Sequence, residues 1–325
     1  MSGLGANRSG CWLRRSRLGF HDARTEERVS AVPGRIDARG LRAAVERRLD
    51  DLSPRSPGDG DLDTAVRHAL LSPGKRLRPL LTLLAARELG AGEWRALDAG
   101  CALEMVHAAS LVLDDLPCMD DASTRRGQPT THRTFGQDVA VLASVTLLAR
   151  AFAVLGAAPG LSPEQRVRLT MIAAEAVGSE GLAGGQYRDL KGAQMLGALV
   201  GVSDGNHRKT GTLFVAAVLM AGVIADAAED RVEELCSFAA HIGQAFQIMD
   251  DLQDGSVKSG ADAPPCEDAG KVTVLSFLDR DGAQRRLEAH LRQARAALRP
   301  GSDLAIFTGE VFARAFSPEL HQAHA

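Results

Sequence analysis

Aromatic residues make up only 4% of the 325-residue chain, with a single tyrosine, and period-2 alternation is nowhere sustained. Both absences argue against a strand-built fold. The cysteines, Cys11, Cys101, Cys118, Cys236 and Cys266, are odd in number and never spaced CxxC. They offer neither a disulfide framework nor a zinc site, and they fit a reducing, cytoplasmic setting. Formal net charge is only −3, which excludes a nucleic-acid binder that relies on a whole-domain positive field. Any anion site must therefore be local. The nearly uncharged stretch from Leu213 to Ala225 falls well short of the roughly 20 residues that a membrane span requires. It predicts a buried helix, with no stable membrane insertion.

What the sequence does have is Ala, Leu, Arg and Glu recurring at helical spacing, and the expected fold class is all-α. Helical patterns cover Arg39 to Leu52, Arg78 to Leu89, Glu93 to Asp114, Val139 to Leu155, Pro163 to Val177, Leu213 to Asp226, Arg231 to Asp254 and, last, Arg285 to Leu298. Breaks are expected at Ser53 to Gly58, Pro159-Gly160, Gly178 to Gly185 and the long segment Gly255 to Gly270, which reads as a mobile loop. Residues 1–35 carry Arg14, Arg15 and Arg17 before any acid. They read as a disordered leader, and a transit peptide is an alternative; residues 36–325 read as one domain.

Two acidic clusters interrupt apolar helical runs. Asp114-Asp115-Leu116-Pro117-Cys118-Met119-Asp120-Asp121 contains a proline that ends or kinks the helix and turns Asp120 back toward Asp114. In Gln247-Ile248-Met249-Asp250-Asp251-Leu252-Gln253-Asp254, the spacings of three and four place the carboxylates on one helical face, with Gln247 a turn earlier. A lone acidic run is commonly a solvated loop. Acids near a helix C-terminus oppose the macrodipole, however, and that arrangement occurring twice favours a metal site. Carboxylate oxygens suit Mg²⁺, which keeps positions open for water and phosphate.

Phosphates also need fixed cations, which occur at Gly74-Lys75-Arg76-Leu77-Arg78-Pro79, Arg125-Arg126-Gly127, Lys209-Thr210-Gly211 and Gly270-Lys271. Gly74-Lys75-Arg76 is not a nucleotide-binding phosphate loop, since the earlier glycine and the following Ser or Thr are missing. His107 lies two turns before Asp114 and shares its face; it reads either as a packing residue or as a donor to phosphate.

These residues resemble the trans-prenyltransferase, or polyprenyl synthetase, family, and most closely its bacterial geranylgeranyl diphosphate synthases. The resemblance spans about Pro73 to Leu278 and rests on PGKRLRP, MVHAASLVLDDLPCMDDASTRRGQPTTH, GGQYRDL, HRKTGTLF, GQAFQIMDDLQDG and DAGKVT. It implies an isoprenoid synthase fold of mostly antiparallel helices around a central cavity, usually dimeric. The substrates it implies are isopentenyl diphosphate and an allylic diphosphate, and the cofactor is several Mg²⁺ ions. Asp114, Asp115, Asp120, Asp250, Asp251 and Asp254 would bind metal. Lys75, Arg78, His107 and Arg126 would bind isopentenyl diphosphate, and Arg125, Lys209 and Lys271 the allylic diphosphate. Thr210 and Gln247 would face the developing carbocation.

By the same resemblance the growing chain runs along the helix that carries Asp114. Ala109 lies five residues upstream, about 7.5 Å along the axis, where a bulky side chain would close the tunnel. Ala109 and Ser110 leave it open, which implies the twenty-carbon product; a farnesyl or longer-chain synthase is the alternative. A non-catalytic subunit of a partner synthase would be expected to lose an aspartate cluster, and both are whole here. One departure stands out: relatives carry Gly-Lys-Asp before DAGK, whereas this chain has Gly260-Ala261-Asp262-Ala263-Pro264-Pro265-Cys266-Glu267-Asp268, leaving Lys258 as the candidate replacement.

Overall fold

A computed structural model describes residues 38–54, 60–195, 211–257 and 278–313, except for the side chains of 191–195 and 253–257. The predicted leader, Lys209, Thr210, Lys258, Lys271 and the loop expected to run to Gly270 lie outside the described residues, as does the side chain of Asp254.

The described residues are almost wholly helical: α1 (Ala38–Leu52), α2 (Asp61–Leu71), α3 (Leu77–Glu88), a 3-10 turn (Glu93–Ala96), α4 (Leu97–Asp114), the two-residue strands β1 (Thr124–Arg125) and β2 (Gln128–Pro129), α5 (Thr131–Phe135), α6 (Gln137–Gly156), α7 (Pro163–Val177), α8 (Leu182–Met195), α9 (Thr212–Ala225), α10 (Glu229–Val257), α11 (Arg280–Ala296) and α12 (Asp303–Ala313). The strands form one small antiparallel hairpin.

Outer helices bury one stripe, as α1 does with Leu41, Ala44, Val45 and Leu49, the spacing of an amphipathic helix facing a core. The central helices are apolar all round. α4 buries every residue from Asp98 to Val106, then Ala108, Ala109 and Val112. It packs against α6 and α3, while α9, also buried along most of its length, packs against α3, α10 and α7. Two of the charges that α4 carries into the interior each meet an arginine. Arg48 forks onto Asp98 at 2.7 and 2.9 Å, and Arg76 donates to Glu104 at 2.9 Å.

Two helix crossings leave no room for a side chain. A Cβ on Gly100 of α4 would come within 3.0 Å of the Pro79 Cα, and one on Gly243 of α10 within 2.8 Å of the Gly211 Cα. The second contact is backbone against backbone and pins the start of α9 to α10.

The structure departs from the sequence reading in several places. α2, α5 and α12 were not delimited by periodicity, and α12 follows the helix expected to be last. α8 begins inside the glycine segment expected to be a break, because glycine allows the new helix to start against the preceding turn: a Cβ on Gly184 would sit on the carbonyl oxygen of Ser179. α10 continues through Gly255 to Val257. Among the described residues two helices are long and apolar enough to cross a membrane by length and composition: Glu93–Asp114, counted with its 3-10 turn, and Gln137–Gly156. The stretch weighed from the sequence, Leu213 to Ala225, is shorter than either.

Replacing Gly243 by alanine should gain about 1 kcal/mol of helix propensity. It should lose more, about 1–3 kcal/mol, because overpacking must here move backbone. The expected outcome is a lower melting temperature than wild type in a thermal scan; an unchanged or higher one would show that the crossing has slack.

Candidate active site

The first acidic cluster lies where α4 ends. Asp115 caps the helix, Pro117 cannot continue it, and the chain doubles back. The Met119 N–H donates to the Leu116 carbonyl at 2.8 Å, Asp121 N–H to the same carbonyl at 3.1 Å, and Asp120 N–H to the Asp114 carbonyl at 2.9 Å. The last bond returns Asp120 to Asp114, as the proline suggested. Asp114 and Asp115 are both buried, at the helix end where the macrodipole disfavours negative charge. The hairpin answers them: Arg125 on β1 forks onto Asp115, with Nε at 2.7 Å and Nη2 at 2.5 Å from Oδ1. Burial opposes the charge of Arg125, but its bond to Asp115 and the charges of Asp115, Asp114 and Asp120 outweigh that and raise its pKa.

The second cluster lies on α10. Asp251 is buried and Asp250 half-buried. The Gln247 amide nitrogen donates to Asp251 at 3.0 Å, one turn apart as their spacing required.

An arginine group feels the charge of both clusters. Arg126, in the left-handed region at φ 53°, donates to the Pro73 carbonyl at 2.9 Å. Its guanidinium lies against Gly74, where a Cβ would come within 2.4 Å of Nη1. Arg78 is buried with its guanidinium 5.3 Å from the Phe214 ring centroid, and the Lys75 ammonium lies 5.1 Å from that of Phe246, both cation–π distances. Burial pulls the pKa of Arg78 down to about 10; the like charge of Arg126 also lowers it, and Glu104 and Asp250 act against the fall. Burial likewise lowers Arg126, with Glu104 and Asp250 as its opposing acids and Arg76 and Arg125 as its like-charged neighbours. His107 on α4 is pushed well below the ordinary histidine range, first by burial and then by Arg78, Arg126, Arg125 and Arg76. It is therefore a neutral imidazole at pH 7, in the field of those four guanidinium groups.

The structure thus brings Asp114, Asp115, Asp120 and Arg125 together at one end of α4, and gathers Arg78, His107 and Arg126 into one group whose field includes Asp250. Ala109 is buried at the α4–α6 contact, its carbonyl accepting from the Ser144 hydroxyl at 3.2 Å. Ser110 is half-buried and turns its hydroxyl onto the His107 carbonyl at 2.9 Å. Sequence reasoning missed the platforms Phe214 and Phe246, the glycine that admits Arg126, and the buried pair Arg76–Glu104. Glu104 had one readable signal, its place three residues before His107 in an otherwise apolar helix.

The carboxylate set is all oxygen, which fits a hard cation. Among the described residues no three His, Cys, Asp or Glu side chains converge closely enough to hold a metal ion by themselves.

The Polyprenyl synthetase family matches residues 60–299. A geranylgeranyl diphosphate synthase of Pantoea ananas is 44% identical over 259 residues, covering 79% of this chain and 85% of that protein. One of Pseudescherichia vulneris is 41% identical, covering 78% and 83%, and a farnesyl diphosphate synthase of Bacillus subtilis is 36% identical, covering 77% and 86%. Among solved structures, an apo FPP/GFPP synthase of Zymomonas mobilis superposes with a TM-score of 0.75 at 32% identity, over 85% of this chain and 96% of that one.

Gly74→Ala should displace the Arg126 guanidinium without unfolding the protein, because the clashing group is the end of a flexible side chain. Losing one charge-assisted contact is worth about 1.5–3 kcal/mol. Calorimetry with inorganic pyrophosphate should therefore show at least tenfold weaker binding at an unchanged melting temperature.

Proposed function

The chain belongs to the Polyprenyl synthetase family, and from that premise we propose that it joins isopentenyl diphosphate to an allylic diphosphate primer, with geranylgeranyl diphosphate as the product. The observation that carries this reading is the arginine group linking two acidic clusters. Arg125 feels Asp114, Asp115 and Asp120, while Arg126 and Arg78 feel Asp250. An arrangement of that kind serves two diphosphates in one site; a protein that merely bound metal would have no use for the second set of cations.

In this reading Asp114, Asp115 and Asp120 on one side, and Asp250, Asp251 and Asp254 on the other, hold magnesium. When bound, magnesium supplies the charge neutralisation that makes the primer's diphosphate a leaving group. Arg125, with Lys209 and Lys271, steadies that diphosphate. Lys75, Arg78 and Arg126 fix the diphosphate of isopentenyl diphosphate by charge, and neutral His107 donates an N–H to it. The allylic carbon becomes cationic and the isopentenyl double bond attacks it, so no protein nucleophile is required. Thr210 and Gln247 present oxygen dipoles to the cation, and the Gln247 amide is oriented by its bond to Asp251. The adduct then loses a proton to the departed diphosphate. Closely packed apolar walls keep water from the cation, which would otherwise be quenched to an alcohol.

Two relatives above 40% identity are named as geranylgeranyl diphosphate synthases, and no bulky side chain stands at Ala109 or Ser110; both support the twenty-carbon product. Incubation with Mg²⁺, isopentenyl diphosphate and dimethylallyl, geranyl or farnesyl diphosphate, followed by dephosphorylation and mass spectrometry, should give chiefly geranylgeraniol, and nothing when EDTA is present. Farnesol alone would keep the reaction and refute the open-tunnel reading.

A homodimer is the second part of the proposal. Val141, Leu142 and Val145 of α6 and Val167 and Met171 of α7 are exposed, and they recur at the spacing of one helical face. The other face of α6 packs on α4, so the helix is not apolar toward solvent all round, as a membrane span would be, and a second copy is the better cover. Its free thiols at Cys101, Cys118 and Cys236 suit a reducing cytoplasm. Sedimentation should give a dimer for wild type and a monomer for Val145→Asp; a monomeric wild type would overturn this part alone.

A further inference from the structure

Arg76 has no place in the substrate contacts above, yet it is among the most constrained residues of the site. It stands at the N-cap of α3 with φ 51° and ψ 37°, a left-handed conformation that a long side chain does not adopt without compensation. Two bonds hold it there: Nη1 to Glu104 at 2.9 Å and Nη2 to the Ser72 carbonyl at 2.8 Å. Both side chains of the Arg76–Glu104 pair are only 4% exposed. The reversal turns Arg76 inward between Lys75 and Arg78, the two cations that lie on Phe246 and Phe214.

Glu104 does more than satisfy Arg76. Arg78, His107 and Arg126 share their surroundings with Arg76, and Glu104 is the foremost opposing charge acting on both Arg78 and Arg126. Like charges gathered in a poorly solvated place repel one another and resist burial. A diphosphate would relieve that repulsion once bound, but the group must already be assembled when it arrives. A buried carboxylate paired with Arg76 is in place before any substrate arrives.

We propose that Glu104, through its buried pair with Arg76, is a positioning residue for isopentenyl diphosphate: a built-in counter-anion that holds Lys75, Arg78 and Arg126 in their binding geometry before the substrate arrives. The proposal rests on the assignment of that group to isopentenyl diphosphate. It predicts an effect confined to one of the two substrates, because Arg125 has its own partner in Asp115.

The test compares Glu104→Gln, Arg76→Met and the double variant with wild type. The readouts are KM for each substrate, kcat, melting temperature, and inorganic pyrophosphate binding by calorimetry. Each single change leaves a buried charge without its partner and lowers the melting temperature, whereas the double change removes both charges and restores much of it. If Glu104 positions the substrate, Glu104→Gln and the double variant both raise KM for isopentenyl diphosphate at least tenfold. KM for the allylic primer moves less than threefold and kcat at saturation is nearly kept. A KM that recovers with the melting temperature in the double variant would reduce the pair to a structural one and overturn the proposal, as would equal rises for both substrates. Were wild type to make no product with any primer, the functional reading would fail. Pyrophosphate binding would then decide the inference: tenfold weaker binding in the folded double variant upholds it, and unchanged binding overturns it.

Discussion

Carboxylates buried at the C-terminal end of an apolar helix are held against both desolvation and the helix macrodipole, and much of the local architecture answers that constraint. Asp114 and Asp115 are the case in point. The proline reversal supplies Asp120, the hairpin exists among helices to deliver Arg125, and Arg125 in turn places Arg126 against Gly74. From there the alternation of charge continues through Arg78 and Arg76 to Glu104 and Asp250. Several of these charges are placed by partners on other segments: Asp115 by Arg125, Arg126 by the Pro73 carbonyl and Glu104 by Arg76. The surrounding bundle is what holds those elements in register.

The helical class was legible because burial in a bundle imposes a period on the sequence, and the predicted α7 coincides with the observed one for that reason. Its start is marked by a capping box, in which the Ser162 hydroxyl accepts from the Gln165 N–H and the Gln165 side chain accepts from the Ser162 N–H. Short or glycine-bearing helices were less legible. α5 has five residues, too few to show a period, and the start of α8 is built from glycines whose local signal is a break. Their helicity is set by neighbouring backbone, which periodicity does not record. Apolar length has another source: α4 and α6 are long and apolar because a core surrounds one and flanks the other, and in each a charge, Glu104 or Arg150, breaks the uncharged run.

At the site, the residues that approach substrate stood out because acids and bases are conspicuous against apolar helices. The reversal at Pro117 and the Gln247–Asp251 contact followed from local chemistry alone. Gly74, Phe214, Phe246 and Glu104 did not, since each has its effect through a residue far away in sequence: Gly74 meets Arg126, and Phe214 meets Arg78. Spacing along one element cannot report a partner brought by another. Ala109 illustrates the same limit, for its smallness serves the α4–α6 contact as well as any tunnel.

The crossing of Gly211 over Gly243 bears on how the bundle moves. Most helix pairs touch through side chains, whose rotamers absorb small displacements. Here two main chains are in contact with nothing compliant between them, and protein interiors have little compressibility. α10 and the start of α9 therefore act as one mechanical part at that point. A shift of α10, the helix that carries Asp250, is transmitted whole to the N-terminus of α9.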